Sequence, residues 1–210
     1  MSKQSTLYLI RHGETHWNLE QRVQGVSDIP LNQTGKIQAR NLAKKLQGIM
    51  FSKIYTSPLT RALETAEIMA KSLGNAIIEM DNFAELDQGM LEGMKFNEMN
   101  EKFPEFFIKW RTAPGEVRMP GGETLGELQT RAWNGIEKIH SSHIREENPV
   151  LIVSHNLTII SILSRILKVS LNQLRTFRQH NASVNIIEKD SNRGWSVVTM
   201  NDISHLENDL

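Results

Sequence analysis

The 210-residue chain balances 24 Lys and Arg against 24 Asp and Glu, so no global field favours a nucleic acid or an anionic membrane, and any anion site must be local. Cysteine is absent, which excludes disulfides, thiolate metal sites and a cysteine nucleophile, and is compatible with a reducing compartment. Met1 to Thr6 is polar with no apolar leader, and no apolar run of about 18 residues exists to cross a bilayer, so the expectation is a cytoplasmic chain forming one domain over 1–210, with no nucleic-acid or membrane partner.

The run Leu7-Tyr8-Leu9-Ile10 reads as a strand that ends abruptly in Arg11, His12 and Gly13. Trp17 to Leu31 is polar, contains Gly25 and Pro30, and reads as a long loop. Ala39, Leu42, Ala43 and Leu46 repeat at helical spacing and predict a helix over roughly 34–47, with Gly48 at its end. Lys53 to Ser57 predicts a second strand. Pro58 then opens a helix through Ala62, Ala66, Met69 and Leu73, with Arg61 in its first turn. Ala76 to Met80 is a third strand.

From Asp81 to Gly122 the alternation fails. Glu85 to Gly89 reads as a loop, and Phe103, Phe106, Phe107 and Trp110 crowd a segment bounded by prolines, so about 95–122 is a small insertion placed to act as a lid. Aromatics at helical spacing also serve simply to pack the insertion. Thr124 with Glu127 is a capping-box pattern opening a long helix to about His143. Val150 to Val153 is an apolar strand ending in Ser154-His155-Asn156, before a helix through Leu167. Val184 to Glu188 and Trp195 to Met200 predict a hairpin near a sheet edge. This order implies an α/β three-layer sandwich, with a mainly parallel central sheet and helices on both faces.

A parallel sheet gathers Arg11 and His12, Arg61, and His155 at one edge of its strand ends. Two arginines match the bidentate geometry of a phosphoryl group, and helix N-termini add donors. Either histidine alone reads as an ordinary hydrogen-bonded imidazole; paired at matching strand ends beside arginines, they suggest that something reacts, since imidazole can be a nucleophile or a proton carrier. His16, His140, His143 and His180 keep the ordinary reading. A metal site is disfavoured, because Gly13 interrupts any helix joining His12 to His16, no H-E-x-x-H pattern is present, and Arg11 would repel a divalent cation.

Arg11-His12-Gly13-Glu14-Thr15 with Trp17-Asn18, then Ser57-Pro58-Leu59 with Arg61-Ala62 and Thr65-Ala66, then Ser154-His155, resemble in order and spacing the blocks of the histidine phosphatase superfamily, the phosphoglycerate mutase-like family. The resemblance covers nearly the whole chain. It implies that His12 is phosphorylated in turnover, that Arg11, Arg61 and His155 hold the phosphoryl oxygens, that Glu85 donates the leaving-group proton, and that neither metal nor other cofactor is needed. Without it, an acid in a polar loop is simply solvated, and Asp87 competes with Glu85. Asn18, Gln24 and Gly25 look like further phosphate or substrate contacts. Asn156 stands where much of the family has Gly, and either contacts substrate or caps the helix it precedes.

The family divides between phosphatases, which discharge phosphohistidine to water, and cofactor-dependent phosphoglycerate mutases, whose insertions resemble longer ones than this chain's. The expectation is a phosphatase acting on a small phosphomonoester; the alternatives are a phosphoglycerate mutase and a non-enzymatic phosphate-dependent binding module. Phe103-Pro104-Glu105 through Trp110, Gly121 to Thr124, His180 to Ser183 and Ser204 to Leu206 look similar to broad-specificity and phosphoserine phosphatases, although Gln88 replaces a His typical of the latter. Arg111 or Arg118 would serve a substrate carboxylate, and His205 would approach the site if the tail folds back. Oligomeric state is not legible.

Overall fold

The computed structural model describes residues 5–143 and 147–206. Residues 1–4, part of the polar start, and residues 207–210, the end of the tail, lie outside the described residues.

Six strands, β1 (Ser5–Arg11), β2 (Ile54–Thr56), β3 (Ile77–Glu79), β4 (Val150–Ser154), β5 (Val184–Asp190) and β6 (Gly194–Asp202), form a single sheet in the order β3-β2-β4-β1-β5-β6. The pairs β3-β2, β2-β4 and β4-β1 are parallel, whereas β5 and β6 join antiparallel as the expected edge hairpin. Register places Arg11 opposite Ser154, so the residues that follow each, His12 and His155, leave the sheet side by side. The helices are α1 (His16–Leu19), α2 (Gln33–Lys45), α3 (Thr60–Leu73), α4 (Phe96–Lys102), α5 (Pro104–Thr112), α6 (Leu125–His143) and α7 (Asn156–Leu167).

The strand period of two divides the core. Leu7, Leu9, Val150 and Ile152 face Leu128, Ala132 and Ile136 of α6 and Ile159 and Leu163 of α7. Ile10, Leu151 and Val153 face Leu42 and Ala43 of α2 and Ala62, Ala66 and Met69 of α3. Every residue of β4 is buried, as its unbroken apolar run requires of a strand covered on both faces. The sandwich expected from the alternation is therefore the fold.

Three local readings differ. The stretch from Trp17 is not all loop: Thr15 and Asn18 form a capping box that starts the short α1, a signal without apolar periodicity. Pro58 precedes α3, whose N-cap is Leu59; the first N–H of the helix, that of Thr60, is instead satisfied by Asp28 at 2.7 Å. Helix α2 closes at Leu46, and Gly48 follows two residues later with φ +89°. The Thr124–Glu127 capping box forms as read, with Glu127 N–H donating to Thr124 Oγ1 at 3.1 Å and Thr124 N–H to Glu127 Oε2 at 2.9 Å.

Candidate active site

The end of β1 is held on both sides, His12 N–H donating to Ser154 O at 3.0 Å and Ala182 N–H to His12 O at 3.1 Å. Arg11 extends to the carbonyl of Gln179. Gly13 must be glycine because its chain presses against the start of α2: a Cβ there would fall 2.5 Å from Gly35 O. The buried His12 ring places Nδ1 2.6 Å from Gly13 O. A carbonyl only accepts, so Nδ1 carries the hydrogen and Nε2 keeps its lone pair, the tautomer a nucleophile requires.

Arg61, 1% exposed, donates through Nη1 to Ser27 O at 2.8 Å and through Nη2 to Gly25 O at 2.7 Å. The long loop thus carries the carbonyls that orient the guanidinium. His155 is fully buried behind His12, their ring centroids 5.1 Å apart, with its Nε2 2.7 Å from Ser57 Oγ. Arg11 Nε, Arg61 Nε and His155 Nδ1 are buried without a partner. A buried polar atom left unsatisfied costs roughly 1–3 kcal/mol, and an oxyanion would accept from both arginine Nε–H groups and from His155 Nδ1 in the tautomer that carries its hydrogen there.

Glu85 is buried at the first turn of α7. Its carboxylate accepts from Leu157 N–H at 3.1 Å, Thr158 N–H at 3.2 Å and Thr158 Oγ1 at 3.1 Å. Its own loop is pinned by Arg131, which donates to Ala84 O at 2.8 Å and Glu85 O at 2.7 Å while pairing with Glu123. Nothing in the sequence marked Arg131, a cation on a long helix far from the site blocks. Asp87 turns back to Gly89 N–H at 2.9 Å and is not among the cavity-lining residues.

A cavity of about 570 Å³ is lined by Arg11, His12, Arg61 and Glu85 and by Asn18, Gln24, Gly25, Gln88 and Asn156; His155, an expected contact, is fully buried behind His12 and is not itself among the lining residues. Asn18 Oδ1 accepts from Thr15 N–H and Asn181 Nδ2, so its amide N–H groups are what it offers a ligand. Asn156 does not cap α7: His155 occupies the N-cap position and Asn156 is the first helical residue. The outer wall is apolar, formed by Phe96 and Met99 of α4 and Phe107 and Trp110 of α5, with the exposed Arg111 and Arg175 beside them. The aromatic segment therefore packs and lines the site at once. Arg175, on the short turn Leu171–Thr176, belongs to none of the sequence blocks and carried no signal in sequence. Arg118 lies elsewhere, paired with Glu127, and His205 is not among the lining residues.

Burial, reinforced by the charges of Arg61 and Arg11, holds His12 well below the usual imidazole value despite the opposing hydrogen bond to Gly13. His155 is lowered likewise, by burial and then Arg61. Burial also lowers Arg11 and Arg61 to about 10, with Glu85 opposing, so both arginines are charged at neutral pH and both histidines neutral. Among the described residues no group of three or more His, Asp or Glu is arranged to hold a metal ion, and no helix is long and apolar enough to cross a membrane. The ordinary histidines have ordinary partners: His143 Nε2 with Tyr55 Oη at 2.9 Å, His140 Nδ1 with Ser5 Oγ at 2.9 Å, and His180 with Asn201.

Comparison with known proteins places the chain in a family. The chain is 38% identical over 198 residues to "Uncharacterized phosphatase PhoE" of Bacillus subtilis, covering 94% of this chain and 95% of that one. It is 34% identical to "Phosphoserine phosphatase 1" of Hydrogenobacter thermophilus, covering 95% and 93%, and 32% identical to "Probable phosphoglycerate mutase GpmB" of Salmonella choleraesuis, covering 96% and 94%. The solved structure of Bacillus stearothermophilus YhfR superposes with a TM-score of 0.90 at 34% identity, covering 96% of this chain and 99% of that one. Residues 7–203 match the histidine phosphatase superfamily (branch 1), and the chain belongs to that family.

Proposed function

We propose that the protein hydrolyses a small phosphomonoester through a phosphohistidine on His12. The observation that carries this reading is the His12 Nδ1 contact with Gly13 O, which leaves Nε2 as the lone-pair atom beside two arginines. Nε2 attacks phosphorus, the bond from phosphorus to the ester oxygen breaks, and that oxygen takes a proton from Glu85. Water then attacks the phosphohistidine and gives its proton to the Glu85 carboxylate as the P–N bond breaks. Arg11, Arg61 and His155 stabilise the charge spread over the transferring oxygens, the task that magnesium performs in other phosphoryl-transfer sites. No metal or cofactor enters the scheme, and a cytoplasmic enzyme on small metabolites is consistent with the balanced charge. The short insertion over about 95–122, with its two short helices α4 and α5, favours water over a second phosphorylated substrate as acceptor, although the likeness to the GpmB relative makes mutase transfer the second reading.

The test is release of inorganic phosphate from p-nitrophenyl phosphate, phosphoserine, sugar phosphates and nucleotides by chelator-treated protein, with interconversion of phosphoglycerates assayed alongside. His12→Ala should abolish turnover, and wild-type protein should trap an acid-labile, base-stable phosphoenzyme. Full activity in His12→Ala would overturn the mechanism, and phosphoglycerate interconversion faster than hydrolysis would select the mutase.

A further inference from the structure

Glu92 follows the short turn Gly89–Leu91 and stands outside every motif described above. Its two carboxylate oxygens accept four donors: Val26 N–H at 2.8 Å and Gln88 N–H at 3.3 Å on Oε1, and Ser27 N–H at 2.8 Å and the Ser27 hydroxyl on Oε2. Val26 N–H and Gly25 C=O belong to one peptide group, which is planar and rigid. That same carbonyl accepts from Arg61 Nη2 at 2.7 Å, and Ser27, whose N–H and hydroxyl Glu92 holds, accepts from Nη1 through its own carbonyl at 2.8 Å. The carboxylate therefore fixes one edge of a peptide plane whose other edge orients the guanidinium.

The backbone is fitted to this contact. Gly25 has φ +53°, and a Cβ there would lie 2.0 Å from Glu92 Oε1, so glycine is required both by the left-handed turn and by the approach of the acid. On the far side, Val23 N–H donates to Met94 O at 3.0 Å and Gly93 N–H to Val23 O at 2.8 Å, joining the chain after Glu92 to the chain before Gly25. Glu92 also opposes the effect of burial on Arg61, after Glu85 and Asp28.

We propose that Glu92 is a positioning residue for phosphoryl transfer, fixing the Gly25–Val26 peptide so that its carbonyl holds the Arg61 guanidinium toward the transferring group. The inference rests on the proposed function for the role of Arg61, but the geometry it concerns is measurable without turnover. Only a carboxylate offers two acceptor oxygens and no donor to this ring of N–H and O–H groups; the amide of Glu92→Gln would set an NH2 against at least one of them.

Glu92→Gln should lower kcat on p-nitrophenyl phosphate about tenfold or more, the scale on which small misplacements of a clamp act. KM should stay within about threefold, and inhibition by orthovanadate should weaken in parallel with kcat. In a double-mutant cycle with Arg61→Lys, the loss from Glu92→Gln should shrink to less than about threefold, since the lysine no longer needs the fixed peptide. The Arg61 Nε–Hε signal in a ¹H–¹⁵N spectrum should be sharp in the wild-type protein and shifted or broadened in Glu92→Gln, with and without inorganic phosphate. If Glu92→Gln does not fold, Glu92→Asp, which keeps the charge but cannot span both peptide groups, should give the same pattern. An unchanged kcat, vanadate inhibition and Arg61 signal, or an equal loss in the Arg61→Lys background, would overturn the proposal. A wild-type protein that hydrolyses nothing but shows the Arg61 change would instead overturn the functional reading and leave the positioning role standing.

Discussion

The hydroxyl of Ser57 lies 2.7 Å from His155 Nε2 and accepts the N–H of Leu59 at 3.2 Å. A hydroxyl that accepts from Leu59 N–H still has a hydrogen to give, and when it donates that hydrogen to Nε2 the neutral His155 carries its own on Nδ1, the tautomer that an oxyanion beside Nδ1 would select. That Nδ1 is buried and without a partner, as the proposed contact with a phosphoryl oxygen requires. The proposed mechanism then gives the serine at the end of β2 a positioning role for the histidine at the end of β4.

Ser57→Ala should leave the fold in place, because it removes a single hydrogen bond of net worth about 0.5–1.5 kcal/mol. Catalysis should suffer more, with kcat down roughly tenfold as His155 populates the tautomer that lacks an Nδ1 hydrogen, on the scale of losing part of an oxyanion donor. Steady-state kinetics with thermal melts check this, and ¹⁵N chemical shifts of the His155 ring read the tautomer directly. Unchanged kinetics and an unchanged tautomer would refute it.

The depressed histidines give stability a pH dependence of defined sign. His12 and His155 are held below the usual value by burial first and then by Arg61, so just below about pH 6.5 the unfolded chain binds protons that the folded chain refuses. Stability is full above that point and falls as pH drops through the window, by at most about 2.7 kcal/mol per pH unit for two such groups. His140 and His205, also lowered chiefly by burial, add in the same direction. Urea unfolding between pH 5 and 7.5 should show the decline, and His155→Asn should flatten it. A level profile over that range would contradict neutral, buried imidazoles.

Glu85 and Asp87 separate by leaving group. Once Glu85 gives up a proton, its carboxylate is met by Leu157 N–H, Thr158 N–H and the Thr158 hydroxyl, donors already in place at the positive end of α7. Glu85→Gln should cut kcat about 10² to 10⁴-fold for an alkyl phosphate and much less for p-nitrophenyl phosphate, whose phenolate leaves without help. Asp87→Asn should stay within about threefold on both. Equal losses on the two substrates for Glu85→Gln would remove it as the acid.

Which of these residues the sequence discloses follows from how each is held. Strands and long helices announce themselves by period, as in the alternate assignment of Leu9 and Ile10 to opposite cores. His12, Arg61 and His155 are legible because each follows directly on such an element. Glu92, Arg131 and Arg175 are silent, since they act on backbone groups or a cavity wall assembled from distant segments and no local spacing encodes that. The same holds for Thr60, which depends on Asp28 from the long loop to satisfy the start of α3; Pro58 looked like the helix start only because local capping rules see no partner 32 residues away.

The outer cavity bears on substrate choice through Arg111 and Arg175. Arg111 lies over the Phe107 ring at 5.8 Å, and Arg175 approaches Trp110 O at 3.4 Å; among the described residues neither forms an ion pair with a carboxylate, and both line the same cavity as His12 beside its apolar wall. A phosphomonoester with a second anionic group would meet them, whereas a neutral aryl phosphate would use only the aromatic surface. Arg111→Ala and Arg175→Ala should each raise KM for phosphoserine or 3-phosphoglycerate about 3- to 30-fold, as expected for one exposed to half-buried charged hydrogen bond, while KM for p-nitrophenyl phosphate changes less than about twofold. Because these arginines meet substrate and transition state alike, kcat should hold. A parallel rise in KM for both substrate types would assign the two side chains to shaping the wall rather than to recognising the second anion.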